Sequence, residues 1–582
     1  MTPINTWHQS TSERDALPEV KMWPTRPPTP DLGHSYRESG HWRDQPIGHY
    51  LTRAASQFPD AVAVIDGDTR LTFADVDRNA TTLAAALHSA GIGADDVVSF
   101  QLANRAEAVI VYQAIMKLGA VANPIVPIYR GRELRFILGQ ARASAVFIPA
   151  TYRGFDYAAM YDKLLDDLPH LKKVVILGDR GERGTDERMT TWTELLGSAP
   201  AEAAKVVAAL PQPDPDQVCL LLYTSGTTAD PKGALHSHNT LVFENLSMIE
   251  LFGLNENDVI FNPSPVTHVT GVNCALTLPF LLGAPVVLHD QWDPVAALDK
   301  ISCHEASFMI FSTPFLQGLL DAAVAAGRPT PSIRYIVCGG ADMPDELTRR
   351  ATDRLGTVVR MYGATEGPSV TAGNRWDTMQ LRTRTDGRVL APTEVIIVDP
   401  AGRPVAPGGV GEVLWRGPDT FLGYLDSSLN AAAFTDDGFF RSGDLARFDD
   451  TGAIHIEGRI KDIINRSGEK ISTHEVENLL SEHPAVSEVA VVAGPDATTR
   501  ERGCAFVVTH DAQDLTLEDV HEFLIGREVA KQKIPESIFV VDVLPKTASG
   551  KIQKFALRDW TRNRTHVPPQ MVGVSLHAAH EK

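Results

Sequence analysis

The chain has 582 residues, of which 43% are hydrophobic and 22% charged, with a formal net charge of −19. That length is too great for one simple core, so two or more domains are expected, and the composition excludes global disorder. The acidic balance argues against a nucleic-acid surface, although a local basic pocket for a nucleotide remains compatible with it.

The opening, "MTPINTWHQSTSERD", has no apolar core segment and reads as no signal peptide. Residues 1–45 are polar and proline-rich ("MWPTRPPTPDLG") and read as an arm lying on the surface or partly disordered. From there to about 390, strand-like runs alternate with helical patterns. "AVAVID" precedes "TFADVDRNATTLAAALHSAG", and "VVSFQL" precedes "AEAVIVYQAIMKLGA". "SAVFIPA", "KKVVILGD", "CLLLYTSG", "PVVLHD", "SFMIFSTP" and "IRYIVCGG" follow. Such alternation predicts parallel sheets covered by helices. The most apolar stretch, "LTLPFLLGAPVVLH" (276–289), is broken by Pro279, Gly283 and Pro285, so it reads as core or pocket wall and not as a membrane span. Residues 393–417, with short β runs between Pro and Gly turns, predict a small antiparallel unit. Past "AIHIEGRIKD" the pattern changes again. Ser472 and Glu475 form a capping-box pattern opening the helix "THEVENLLSEH". "SEVAVVAG", "GCAFVVTH" and "ESIFVVDVL" read as strands, and "TLEDVHEFLIGREVA" as a helix. A compact α+β domain follows a boundary near 459–463.

Five cysteines (Cys219, Cys274, Cys303, Cys338, Cys504) form no C-x-x-C pair. Neither a disulfide framework nor a zinc site is indicated, and a reducing cytoplasm is the expected setting.

The residues that carry chemistry fall in separate clusters. "LLYTSGTTADPKG" (221–233) is a buried strand followed by a loop of hydroxyls, glycine and Lys232. Backbone N–H groups, hydroxyls and an ammonium suit phosphate oxygens. It is no Walker loop, since Gly233 and not Ser or Thr follows the lysine, so a magnesium ligand must come from elsewhere. "MYGATEG" (361–367) offers the Tyr362 face for a purine and the Glu366 carboxylate for a hard cation. Asp444 of "RSGDLARF" can accept from both hydroxyls of a ribose. "EGRIKDIINRSGEKIS" (457–472) is a charge run that alone reads as a solvated face, and "LPKTASGKIQK" (544–554) alone is a basic turn. His268 lies among prolines and small residues in "PSPVTHVTGVN". There is no dinucleotide fingerprint, no H-E-x-x-H and no G-x-S-x-G.

In this order the clusters closely resemble the adenylate-forming superfamily, from about residue 50 to about 560. Within it, "PIYRGRELRFIL" and "YRGFDYAAM" look most like cyclohexanecarboxylate-CoA and medium-chain fatty acyl-CoA ligases. The resemblance implies an α/β fold: a large N-terminal domain (46–459) of two α/β subdomains plus a β-barrel-like part, a hinge (460–463), and a small mobile α+β lid (464–582). It implies ATP, magnesium and coenzyme A as cofactors or co-substrates. A carboxylate attacks the α-phosphate of ATP, and a thiol then takes the acyl group from the adenylate. Thr224, Ser225, Gly226, Thr227, Thr228 and Lys232 would cradle pyrophosphate. Tyr362 with Gly339, Gly340 and Ala341 would hold adenine. Thr365 would touch the α-phosphate, Glu366 would hold magnesium, and Asp444, assisted by Arg459, would grip the ribose. Asp462 matches the hinge, and Lys551 would bridge carboxylate and α-phosphate. His268 would sit beside the acyl carbonyl, and Gly468 would face the pantetheine channel.

Two positions depart from the family pattern. Ala229 replaces the second glycine of T-S-G-T-T-G-x-P-K-G, which implies a working loop with a shifted backbone. Asn465 and Thr473 replace the lysine and proline often found in the hinge motif, positions that vary among acyl-CoA synthetases. Members that activate amino acids place an aspartate near the His268 segment. This chain has none there, so an apolar acid (medium-chain, cyclic or aryl) is expected. Free coenzyme A is the expected acceptor. A separate carrier protein is the alternative, as is a relative that only binds or uses acyl-adenylates. No nucleic-acid partner and no membrane span are expected, and a homodimer is left open.

Overall fold

The structure, a computed structural model, describes residues 23–179, 186–224, 231–327, 330, 332–340, 343–466, 469–496, 498–510, 513–527, 529–547 and 552–563. Short runs such as VVSF and FMIF are buried at every position, as parallel strands covered on both faces must be. Over the described residues they assemble two large sheets. A seven-stranded sheet runs in the order Lys232–Ser237, Val218–Thr224, Val121–Pro124, Val97–Phe100, Ala145–Pro149, Lys173–Leu177, Met189–Thr191. It is parallel except at the Lys232–Ser237 edge. A nine-stranded sheet has a parallel centre, from Thr357–Ala364 through Tyr335–Gly339, Phe308–Phe311, Ile260–Asn262 and Val286–Leu288 to Val62–Asp66. Its edges are antiparallel. The chain begins in the nine-stranded sheet, builds the other, then returns, so the two halves are interleaved.

The helices Phe73–Ser89, Ala106–Leu118 and His238–Phe252 share one core with residues of both sheets, among them Val64, Val98, Leu220 and Phe308. This placement explains why AEAVIVYQAIMKL is apolar nearly all round: it has no solvent face to show. The stretch 276–289 is core, as expected. A π-helical segment Val272–Thr277 runs into the helix Leu278–Leu282 and the strand Val286–Leu288, and Pro279 is tolerated because it falls in the first helical turn.

The small antiparallel unit is larger than the sequence suggested. Glu394–Val398, Gly411–Arg416, Phe440–Phe448 and Ile454–Arg459 form a four-stranded sheet, so "RSGDLARF" lies on a strand. Past a 3-10 turn, Ile460–Asp462, a second sheet is built from Ile463–Arg466, Glu469–Ser472, Val486–Asp496, Arg500–Thr509 and Ser537–Val540. Only half of the expected capping box forms at the helix Thr473–Ser481. Ser472 Oγ accepts from the Glu475 N–H at 3.3 Å and donates to the Glu457 carbonyl at 2.7 Å, while the Glu475 carboxylate pairs with Lys533 at 2.6 Å.

Over its described part the N-terminal arm is anchored to the body of the protein. Pro30–Glu38 is a helix, and Tyr36 and Trp42 are buried against Phe243. The aromatics decide this: burying two such rings outweighs the polar composition around them. Among the described residues no helix is long and apolar enough to cross a membrane.

Candidate active site

Three strand ends converge. Val218–Thr224 ends where the phosphate-loop motif begins, Tyr335–Gly339 ends in "CGG", and Thr357–Ala364 turns through Thr365 and Glu366 into Gly367–Ala372. The carboxyl ends of strands are where open α/β sheets bind ligands. Gly339 stands beside Met361 across the ladder, and a Cβ there would lie 2.6 Å from the Met361 carbonyl oxygen, so only glycine allows that approach. The chain re-enters at Lys232, which pairs in register with Thr224.

The Thr365–Glu366 turn is pinned through its backbone. Phe421 N–H donates to the Glu366 carbonyl at 2.9 Å, and His236 Nε2 lies 2.7 Å from the Thr365 carbonyl. Burial pushes His236 down to about 4, so it is neutral near pH 7. Its Nε2 then carries the proton given to Thr365, and Nδ1 lies 3.1 Å from Thr240 Oγ1, whose hydroxyl donates to the Ser237 carbonyl at 3.0 Å. The half-buried Glu366 carboxylate accepts from the Tyr424 phenol at 2.6 Å. Lys232 Nζ lies over the same ring, 5.1 Å from its centroid. Beside this, Tyr362 donates to Asp444 Oδ2 at 2.7 Å, and Arg459 Nε meets Asp444 Oδ1 at 3.0 Å. Asp444 itself is 5% exposed. Its charge is the first cause that raises the Arg459 pKa, and burial followed by the same carboxylate raises that of Tyr362. An ionised carboxylate has about four lone-pair positions, so both Asp444 and Glu366 keep acceptor capacity beyond these bonds.

Models of two families match the sequence: "AMP-binding enzyme" over residues 51–425 and "AMP-binding enzyme C-terminal domain" over residues 475–551. The chain belongs to the adenylate-forming AMP-binding enzymes. It is 35% identical over 528 residues to the medium-chain fatty-acid–CoA ligase of Escherichia coli (strain K12), covering 90% of this chain and 92% of that protein. It is also 35% identical over 536 residues to the salicylyl-CoA synthase / salicylate adenylyltransferase of a Streptomyces sp, with 91% and 96% covered. Among solved structures, an anthranilate CoA ligase in complex with anthranoyl-AMP matches with a TM-score of 0.80 at 25% identity, over 89% of this chain and 97% of that one. The O-succinylbenzoate coenzyme A synthetase of Bacillus subtilis, in complex with ATP and magnesium ion, matches with a TM-score of 0.75 at 26% identity, over 89% and 99%.

In this adenylate-forming enzyme the structure brings together Thr224, Lys232, Gly339, Tyr362, Thr365, Glu366, Asp444 and Arg459, with Gly340 next to Gly339. Ser225, Gly226, Thr227, Thr228, Ala229, Ala341, Gly468 and Lys551 lie outside the described residues. His268 is exposed and caps the short helix Val269–Gly271, its Nδ1 accepting from the Thr270 N–H at 3.3 Å. No group of three or more potential His, Cys, Asp or Glu ligands exists among the described residues. A lone carboxylate such as Glu366 suits magnesium shared with nucleotide phosphates, and does not suit an all-protein cage. Tyr424 and His236 were missed from sequence. For His236 a signal existed: strand alternation puts it on the same face as Lys232 and Ala234. For Tyr424 none did, because its role depends on a contact 58 residues away in sequence.

Proposed function

We propose that this adenylate-forming enzyme is an ATP-dependent acid–thiol ligase that activates an apolar carboxylic acid (medium-chain, cyclic or aryl) and passes it to coenzyme A. The observation that carries this reading is the convergence of Lys232, Glu366, Asp444 and Arg459, drawn from four separate segments, around Tyr424 and Tyr362. In the first step a carboxylate oxygen attacks the α-phosphorus, a P–O bond forms, and the bond to pyrophosphate breaks. In the second a thiol sulfur attacks the acyl carbon, the C–O bond to AMP breaks, and the thiol gives up its proton.

The residues divide this work. Thr224 and Lys232, with the Ser225–Thr228 loop, hold the leaving pyrophosphate. Tyr362, Gly339, Gly340 and Ala341 hold adenine, and Asp444 with Arg459 holds the ribose. Thr365 meets the α-phosphate and His268 stands by the acyl carbonyl. Lys551 bridges the two anions that must react, and Gly468 lines the thiol channel. Glu366 would hold magnesium, which neutralises phosphate charge when bound. Such a site works mainly by position and by fixed charge. We place the domain division at 460–463, with an arm at 1–45, a catalytic domain at 46–459 and a lid at 464–582. The 3-10 turn Ile460–Asp462, lying between two separate sheets, supports that division. Four of the five cysteines are buried and all are unpaired, in keeping with a reducing cytoplasm.

The test is mass spectrometry of products from ATP, magnesium and a panel of fatty, cyclohexane, aryl and amino acids, with coenzyme A or a carrier protein as acceptor. Acyl-CoA and AMP from one apolar class are expected. Thioester on the carrier alone would overturn the acceptor, a relevant outcome given a relative named as both CoA synthase and adenylyltransferase. Thioester only from supplied acyl-adenylate would overturn the first step.

A further inference from the structure

The segment 418–425 runs beside Glu366 and the strand Lys232–Ser237 and is fastened on two sides. Toward the site, Leu422 N–H donates to Leu235 O at 2.7 Å, Leu235 N–H to Gly423 O at 3.0 Å, and Leu425 N–H to Gly233 O at 2.8 Å. These bonds tie the segment to the strand that starts at Lys232. Away from the site, the N-terminal arm grips it. Arg26 N–H donates to Leu422 O at 2.5 Å, and Trp42 Nε1 donates to Pro418 O at 3.1 Å. Gly423 turns the chain at φ +112°, a value side-chain-bearing residues rarely adopt, and Asn430 Oδ1 then accepts the Tyr424 N–H at 2.8 Å. Phe421 packs at 4.9 Å from Tyr424 and stacks on Phe434 at 5.2 Å. The outcome is a tyrosine with a fixed backbone and a packed neighbour.

We infer that Tyr424 is a positioning residue for the divalent cation: its phenol fixes the Glu366 carboxylate in the orientation that meets magnesium, while its ring face holds Lys232 close by. The inference rests on the reading that Glu366 holds magnesium. A lysine that must face phosphate oxygens and a carboxylate that must face the magnesium beside them are at risk of pairing with each other. Tyr424 gives each a different engagement: an O–H···O bond for Glu366 at 2.6 Å, and a cation–π contact for Lys232 at 5.1 Å. Outer groups that orient a metal-ligating carboxylate are worth about 10- to 100-fold in metal affinity.

Tyr424→Phe keeps the ring and removes only the bond to Glu366. Calorimetric binding of ATP, without acid or coenzyme A, separates the roles. The variant is expected to need about tenfold more magnesium for half-maximal magnesium–ATP binding. Binding of ATP in EDTA should stay unchanged. Glu366→Gln is measured beside it. If Glu366→Gln leaves the magnesium dependence intact, the reading of Glu366 fails and the inference falls with it. If Glu366→Gln shifts that dependence and Tyr424→Phe does not, the inference alone is overturned. Equal weakening with and without magnesium would also overturn it, since that marks a general structural role.

Discussion

Replacing Glu244 by glutamine tests what lies under the Thr365–Glu366 turn. Glu244, on the helix His238–Phe252, is 2% exposed and accepts from Ser369 Oγ at 2.7 Å. Ser369 belongs to the strand Gly367–Ala372, and its N–H donates to the fully buried Asp419 at 3.2 Å. Two carboxyls therefore meet at one serine, with the Cys274 thiol and the Met361 thioether as further neighbours. Burial first, and the Asp419 charge second, push Glu244 from the ordinary 4.5 up to about 8, and burial pushes Asp419 to about 6. The native state thus keeps a proton on Glu244 that the unfolded chain releases. Stability from this group is complete below about pH 4.5 and is lost as pH rises toward 8. At about 1.4 kcal/mol per tenfold, the ceiling on that loss is about 5 kcal/mol. Glutamine has nearly the same shape, still bonds to Ser369 and has no proton to lose. Urea unfolding at pH 5, 7 and 9 is the assay. The variant should match the wild type within about 1 kcal/mol at pH 5 and exceed it by several kcal/mol at pH 9. Parallel pH curves for the two proteins would refute a protonated Glu244.

Three further outcomes follow from other contacts. Asp444→Asn removes the charge that Arg459 and Tyr362 share, so ATP–pyrophosphate exchange should show its KM for ATP raised by about tenfold or more, as expected for a lost charge-assisted bond; an unchanged KM would remove Asp444 from the ribose site. Trp42→Ala should destabilise the catalytic domain by about 3 kcal/mol, the cost of emptying a buried aromatic site, while Trp42→Phe should cost about 1 kcal/mol through the lost bond to Pro418; chemical denaturation reads both. Arg558 pairs with Asp462 of the proposed hinge, both of them largely buried. Arg558→Ala should therefore loosen the helix Lys554–Asn563 by about 3 kcal/mol, seen as faster amide exchange confined to that helix and its neighbours.

Much of the fold was legible because strand and helix periods are local signals. The alternation from about 45 to about 390 pointed to parallel sheets, and the run of buried positions in AEAVIVYQAIMKL marks a helix enclosed by two layers. What was not legible depended on partners far away in sequence. The arm's polar composition does not show how it is held: Tyr36 and Trp42 pack with Phe243, and Trp42 donates to the Pro418 carbonyl. "RSGDLARF" carries no clear strand period, yet it is a strand, since ladder bonds to Gly411–Arg416 and Ile454–Arg459 satisfy its backbone.

The site shows the same division in a sharper form. Residues proposed to meet the ligand sit in glycine- and hydroxyl-rich motifs, whose composition suits the chemistry of phosphate and ribose, and such motifs can be read from sequence. Residues that hold those motifs in place touch only other side chains, and many chemistries could fill that role. Tyr424 is one phenol in an unremarked "FLGYLD", and Glu244 is one acid in an apolar helix. Neither carries a signal until the Thr365–Glu366 turn is seen suspended between them: the phenol on its carboxylate side, and the Ser369-bound acid beneath its outgoing strand. A turn held from both sides by groups on separate elements can keep Thr365 and Glu366 fixed while substrates come and go. That rigidity is what catalysis by position and fixed charge demands of the protein.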